Sequence, residues 1–135
     1  MQMIPTKRID HLERLLEVVR GLTTAPDLES FLQTVISEAS EMTDSELASI
    51  LEYDDAAKEL RFLAMQWFDR DLLRPMGVPL EGSAAGWVYR KGQNLIIQDT
   101  KVDQRHFKTV DRVTKHTTHS LAAVPLIVGG EVIGV

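Results

Sequence analysis

The chain has 135 residues, of which 44% are hydrophobic and 26% are charged, and its net charge is -5 at neutral pH. This length allows one domain with a real core, and the negative charge argues against a general nucleic-acid binder, which needs a dominant basic face. The chain has no cysteine, so disulfides, thiolate metal sites and cysteine nucleophiles are excluded, and a cytoplasmic location is expected.

The N-terminal residues predict neither a signal peptide nor a membrane anchor. Charges interrupt the apolar residues every two or three positions, unlike the apolar core of a signal peptide. No run of 18 or more apolar residues exists anywhere in the sequence. We therefore expect no membrane insertion.

The first predicted element is a helix over residues 6–22 that Gly21 is expected to end as a C-terminal cap. Its apolar positions repeat at spacings of 3, 4 and 3 residues, as in two heptads. The residues of this stripe are Ile9, Leu12, Leu16 and Val19. Leu15, Val18 and Leu22 form a second apolar line. Two alternatives stay open: the helix forms a homodimer interface, or it packs within its own chain.

A second helix and a hairpin are predicted next. Asp27 is the expected N-cap of a helix over residues 28–42, where apolar residues recur with a 3.6-residue period. Residues 47–53 and 60–67 then alternate in polarity around a polar turn at 54–58, which predicts two antiparallel strands. Proline and glycine predict a loop over residues 77–82.

The C-terminal half predicts a short helix and three further strands. Ser83 is expected to cap a helix over residues 84–90, with Gly92 as its stop. Residues 95–97 predict a short buried strand, and Asp99 is expected to cap the turn that follows. Residues 100–119 are polar and mixed, with room for one helical stretch. The Gly129-Gly130 pair between apolar residues 120–128 and 131–135 predicts a hairpin.

The last strand stops at the final residue, Val135. Either the sequence is a fragment of a longer protein, or that strand forms an exposed sheet edge. The order of helices and consecutive hairpins predicts an α+β fold with a central antiparallel sheet and helices gathered on one side or end.

These elements resemble a GAF domain, the small-molecule sensor module of signalling proteins. The resemblance rests on three stretches: LTTAPDLESFLQTVISEASEMTDSELASILEYD, VPLEGSAAGWVYRKGQNLIIQD and SLAAVPLIVGGEVIGV. It covers nearly the whole chain and implies one domain over residues 1–135, with its body at 27–135, in a GAF/PAS-like (profilin-like) sandwich. It also implies that the last strand lies beside the first, and that a closing helix follows. Because this sequence has no counterpart of that helix, Val135 is expected to be a truncation point.

The resemblance further implies that residues 99–119 help to roof a ligand cavity. This segment holds five basic residues against three aspartates, whereas the rest of the chain has a net charge of -7. A basic roof would attract a nucleotide or another anion, and the alternative is a solvated loop with scattered charges. The candidate ligand-binding residues are Phe68, Trp87, Ile97, Asp99, His106, Phe107, His116 and His119. The histidines lack the further close ligands of a metal site, so no metal is predicted, and the sequence indicates no particular cofactor.

Two further sites are weighed against simpler structural roles. Residues 82–86 could cradle an anion at a helix N-terminus, or could simply cap and pack that helix. Each aromatic near the cavity could stack on a flat ligand or fill the core. No catalytic residue is proposed: no nucleophile elbow is present, and the methionine-sulfoxide chemistry and tetrapyrrole attachment known in GAF relatives need cysteines. The N-K-x-F-D-E pattern of cyclic-nucleotide-binding relatives is absent.

The sequence therefore predicts a regulatory sensor without catalysis of its own. It would bind a small molecule of unknown identity and relay a helix shift to an output domain. The alternative is a ligand-free dimerisation module whose cavity is filled by its own side chains.

Overall fold

A computed structural model describes residues 6–66, 70–73, 75–115 and 117–135. Its helices are α1 (Thr6–Thr24), α2 (Leu28–Thr43), α3 (Arg70–Leu73), α4 (Ala84–Lys91) and α5 (Thr109–Thr114). Its strands are β1 (Ser49–Asp54), β2 (Glu59–Met65), β3 (Gly77–Val78), β4 (Leu95–Ile97), β5 (Leu121–Ala123), β6 (Leu126–Val128) and β7 (Glu131–Gly134). Within these ranges, no helix combines the length and the apolar character that crossing a bilayer requires.

The chain divides into two compact units, and the first comprises Met1–Ser49 with Ala64–Trp67. Helices α1 and α2 pack together in this unit, where Arg14 Nη1 lies 3.2 Å from Glu41 Oε2. Asp27 caps α2 as predicted, because its Oδ1 accepts a 2.7 Å hydrogen bond from Ser30 N. This contact satisfies a helix-terminal N–H and holds the pKa of Asp27 below its ordinary value.

The predicted end of α1 was wrong. Gly21 does not stop the helix, which continues to Thr24, and the Gly21 carbonyl accepts an ordinary helical hydrogen bond of 2.8 Å from Ala25 N. The Thr23 hydroxyl donates to the Arg20 carbonyl at 2.9 Å, which satisfies a polar group in the last turn. Glycine is permitted at a helix end but does not require one.

The second unit comprises Ile50–Leu63 with Phe68–Val135. The main sheet has five strands in the order β3-β2-β1-β7-β6, and β7 runs antiparallel to both of its neighbours. Gly134 pairs with Glu52 of β1, and Glu131 pairs with Val128 of β6. The predicted α+β fold, its antiparallel sheet and the placement of the last strand beside the first are confirmed. The alternative of an exposed edge was wrong, because β7 lies inside the sheet.

The Gly129-Gly130 hairpin is also confirmed. The two glycines have φ values of 58° and 81°, which is the left-handed backbone that a tight two-residue turn between antiparallel strands requires.

Two predicted boundaries differ from the structure. Residues 77–82 were predicted as a loop, but β3 begins there and pairs with β2, with Val78 opposite Leu60. The apolar run 120–128 was predicted as one strand, but it divides at Val124-Pro125 into β5 and β6, which belong to different sheets. Pro125 lacks the N–H that a continuous ladder needs, so the chain leaves one sheet at that point.

Strands β4 and β5 form a separate two-stranded antiparallel sheet. Leu95 pairs with Ala123 and Ile97 pairs with Leu121. Buried residues of β4 and of helix α4 form one apolar cluster, against which Trp87 and the final residue pack. The members of this cluster are Ala84, Val88, Leu95 and Ile97. The cluster therefore anchors β4, and the candidate site begins in the connection that follows this strand.

Candidate functional site

The candidate site is the long connection between β4 and β5, residues 98–120. Two hydrogen bonds close its base just beyond the paired strands. Thr100 N donates to the His119 carbonyl at 2.9 Å, and the Thr100 hydroxyl donates to the Thr118 carbonyl at 2.5 Å. Thr100 is only 4% exposed, so this closure is part of the packed structure rather than a surface contact.

Asp111 is the polar centre of the connection. Its Oδ2 accepts a 2.9 Å hydrogen bond from Thr118 N, and its Oδ1 accepts one of 2.7 Å from the Thr118 hydroxyl. His106 Nε2 lies 3.0 Å from Oδ2. Because a carboxylate only accepts hydrogen bonds, Nε2 must carry the proton and donate. Asp111 on α5 thereby holds both flanks of the connection together.

The surroundings of Asp111 keep its carboxyl group ionised. Partial burial acts to raise the pKa of Asp111, but the hydrogen bonds from Thr118 and His106 outweigh burial and hold that pKa below its ordinary value. The carboxylate is thus a fixed structural charge whose oxygens are already engaged by the protein.

A groove of about 440 Å³ opens beside Asp111, bounded by residues of the connection between Thr100 and His119. We call it the basic groove. Four cationic side chains line it: Lys101, Lys108, Arg112 and Lys115. All four residues are exposed, and none forms an ion pair with any residue that the structure describes. The groove therefore gathers positive charge in a chain that is negative overall.

A second depression of about 440 Å³ adjoins the groove and shares Lys101 and Lys108 with it. The acidic residue in its wall, Asp103, is paired with Arg105, whose Nη2 lies 2.6 Å from Asp103 Oδ2. Hydrogen bonds from Arg105 lower the pKa of Asp103 to about 2. The Arg105 guanidinium also lies 5.2 Å from the centre of the Trp87 ring, a cation–π contact that ties this part of the connection to α4.

Two of the sequence-predicted site residues, His106 and His119, line the basic groove. The others lie elsewhere: Ile97 is buried in the apolar cluster, and Trp87 packs against that cluster beneath Arg105. Asp99 is exposed and its Oδ1 accepts from Lys101 N at 2.9 Å, which confirms the predicted turn cap. Phe107 is half-buried. Phe68 and His116 lie outside the described residues.

The glycine-bearing turn before α4 serves the helix rather than an open anion site. Ser83 is 1% exposed, and its hydroxyl accepts from Gly86 N at 2.9 Å while donating to the Pro79 carbonyl at 2.5 Å. A Cβ added at Gly86 would lie 2.2 Å from the Leu80 carbonyl oxygen. The small residues therefore cap α4 and let the preceding loop pass close to it, which is the second of the two roles considered for residues 82–86.

In the described part of the chain, no three histidine, aspartate or glutamate side chains are grouped so as to hold a metal ion. The His106–Asp111 pair is instead completed by Thr118.

The groove's cations and Asp111 were not among the residues predicted for the site. The signal was available in part, since the sequence showed an excess of basic residues in this segment. The sequence did not give the position of the helical stretch: α5 brings Lys108, Asp111, Arg112 and Lys115 to one groove.

Comparison with solved structures shows the fold to be shared. A GAF domain of a phosphoenolpyruvate-protein phosphotransferase from Coxiella burnetii is 19% identical, with a TM-score of 0.81 over 93% of this chain and 74% of that one. The GAF domain of nlh2 from A. aeolicus, in an inactive state, is 21% identical, with a TM-score of 0.73 over 95% and 77%. Free methionine-R-sulfoxide reductase from Neisseria meningitidis, solved with its substrate, is 17% identical, with a TM-score of 0.70 over 99% and 75%.

The fold thus defines an α+β domain of the kind shared by these proteins. A family profile described as GAF domain matches residues 25–135. The chain belongs to the GAF domain family.

Proposed function

We propose that residues 1–135 act as a regulatory, sensory GAF domain that binds a small molecule and relays a shift of its helices to an output domain. The basic groove is the single observation that carries this proposal. Its volume of about 440 Å³ falls within the range of roughly 300 to 1,000 Å³ for small-molecule sites. The Asp111–Thr118–His106 contacts hold its walls.

The relay follows from differential affinity. A ligand that binds two helix arrangements equally shifts nothing, so the ligand must prefer one of them. Helix α1 is the element we propose as the output of the shift, because its apolar stripe is exposed and available to another surface. No catalytic role is proposed for the chain, which lacks the cysteines that sulfoxide reduction would need.

The sensory proposal predicts a ligand that co-purifies with the protein. The chain, purified without added small molecules and then denatured, should release one compound in near-stoichiometric amount, as measured by mass spectrometry. The Arg112→Gln variant, prepared in parallel, should release much less because it lacks one groove cation. If the wild-type protein releases nothing and a high-resolution structure shows the groove closed by its own side chains, the domain is not a sensor.

The alternative function is a dimerisation module, and the surface of α1 favours it. Ile9, Leu12, Leu16 and Val19 are 44%, 53%, 56% and 59% exposed, an unusual loss of apolar burial for one helix face. In a heptad with Ile9 and Leu16 at the a positions, Arg8 takes a g position and Glu13 an e position. Two parallel copies of α1 would then place Arg8 opposite Glu13 of the other copy, which is a favourable charge pair.

The double substitution Leu12→Glu with Leu16→Glu is expected to convert a dimer into a monomer. Four like charges would be buried at the seam of a two-stranded coil, which no short coiled coil tolerates. Light scattering should show the particle mass halved. The matched control is Lys7→Glu, which changes the net charge by the same amount at an exposed position of α1 outside the stripe, and the dimer should persist. An unchanged mass for the double variant would remove α1 from the interface.

A further inference from the structure

We infer that the ligand of the basic groove is a small polyanion bearing phosphate groups, recognised through its charge rather than through stacking of a flat ring. This inference rests on the proposed sensory function and names the ligand class for the same site.

The charge balance of the groove is the first argument. Four cations line it, and Asp111 is the one carboxylate among the lining residues that the structure describes. Asp111 already accepts hydrogen bonds from Thr118 and His106, so its oxygens are turned to the protein. Exposed like charges that share one concave surface repel one another, and an anion with several charges relieves that repulsion.

The size of the groove and the residues of its walls narrow the class of ligand that it could bind. The volume of about 440 Å³ leaves room for more than a single phosphate ion, and four cations can engage more than one anionic group. The residues that line the groove in the described chain include no phenylalanine, tyrosine or tryptophan. The rings among these lining residues are the imidazoles of His106, which is already engaged with Asp111, and of His119, whereas several lysine, arginine and threonine side chains donate to phosphate oxygens.

Lys115 supplies a separate argument. It ends α5 in the left-handed conformation, with φ 56°, where glycine or asparagine is preferred and a lysine is strained. The fold alone would favour glycine at this position. Lys115 lines the groove, so a lysine at this position places a cation there that glycine would not supply. Lys58 has the same φ of 56°, but it is paired with Asp55 at 2.8 Å and lies outside the groove, so it provides a matched control.

The test is calorimetric titration with sodium tripolyphosphate at low ionic strength. The wild-type protein should bind one equivalent, and Lys115→Gly should weaken binding about five- to tenfold while its thermal midpoint stays unchanged or rises. Lys58→Gly removes a cation from the same backbone conformation and should bind as the wild type does. Equal affinities for the two variants, or no saturable binding by the wild type, would overturn the inference.

Two further arms identify the source of the phosphate groups. ATP should bind within about threefold of tripolyphosphate, because recognition by charge gives the base little to add; a much tighter ATP complex would overturn recognition by charge. Binding only to vesicles of anionic phospholipid would show that the basic groove contacts a membrane surface. That result would equally overturn the inference of a small-molecule ligand.

Failure of the inference and failure of the sensory function are separable. If a compound without phosphate co-purifies and tripolyphosphate does not bind, the ligand class is wrong and sensing stands. If tripolyphosphate binds but hydrogen exchange of α1 stays unchanged, the ligand class is right and the relay to α1 is wrong.

Discussion

Replacing Gly86 by alanine should destabilise the protein by about 3 kcal/mol, the upper range for overpacking a tight contact. An alanine Cβ at this position would lie 2.2 Å from the Leu80 carbonyl oxygen and 2.6 Å from two other Leu80 backbone atoms. Backbone cannot rotate away as a side chain does, so the loop before α4 must move. The Pro79 carbonyl in that loop also accepts a hydrogen bond from the Ser83 hydroxyl, and moving the loop would strain this hydrogen bond. Urea unfolding measures the loss.

The control for Gly86→Ala is Gly21→Ala, because both glycines lie inside helices. A Cβ at Gly21 meets nothing within 4 Å, so alanine there should stabilise the protein by about 0.5 to 1 kcal/mol through helix propensity alone. Opposite signs at the two positions are therefore expected. If alanine stabilised the protein equally at both positions, the backbone at Leu80 could not approach α4 as closely as the distances above require.

Replacing Asp111 by alanine should cost about 2 to 3 kcal/mol. The substitution leaves Thr118 N, the Thr118 hydroxyl and His106 Nε2 without their shared acceptor, and hydrogen bonds to a charged group are worth about 1.5 to 3 kcal/mol. Asp111→Asn keeps one acceptor oxygen and should cost roughly 1 kcal/mol. In the same urea experiment, Asp55→Ala should leave stability unchanged, because Asp55 forms an exposed ion pair with Lys58. If Asp111→Ala left the unfolding free energy unchanged, other contacts would be closing the connection between β4 and β5.

The contribution of Asp111 should also depend on pH. Because the folded pKa of Asp111 is lowered, its ionised form stabilises the folded state above the ordinary aspartate pKa of about 3.9. That stability is lost as the pH falls through the folded pKa. The difference in unfolding free energy between the wild type and Asp111→Ala should therefore be constant near neutral pH and shrink below about pH 4. A difference that stays constant into strong acid would show that the carboxylate charge plays no part.

Sensing and dimerisation need not compete if both hold. A groove ligand that shifts the preferred arrangement of α1 would change how two copies pair along its stripe, and this is the physical form of the proposed relay. The α1 variants test the pairing, and the Lys115 and Lys58 variants test the ligand. The two sets of substitutions share no residue, so their effects on stability should be additive unless the sites are coupled.

Capping and turn residues were the most predictable part of the fold. Asp27, Ser83 and Gly92 cap the helices that the sequence assigned to them, and Gly129-Gly130 forms the expected hairpin. Each of these signals is local: a side-chain oxygen reaches an N–H three residues away, or a backbone adopts a positive φ that glycine alone tolerates well. A few adjacent residues determine local geometry of this kind.

Errors occurred where a local signal had two outcomes. Gly21 resembles a helix stop but is accommodated inside α1, and the run 120–128 resembles one strand but divides at Pro125 between two sheets. The short strand β3 forms because β2 offers an edge to residues that were predicted to be a loop. The pairing of β3 depends on a strand elsewhere in the chain, which no local pattern encodes. The division of the run 120–128 had a local signal in Pro125, which the one-strand prediction passed over.

The sequence by itself determined the class of fold, the family, the absence of cysteine chemistry and the concentration of basic residues between two strands. The tertiary structure decided which of those residues act together. Asp111 joins Thr118 and His106 across the connection, and the short helix α5 turns separate cations into one groove. Charge composition is a property of residues counted singly, whereas a binding site depends on distances between side chains, and those distances exist only after the chain has folded.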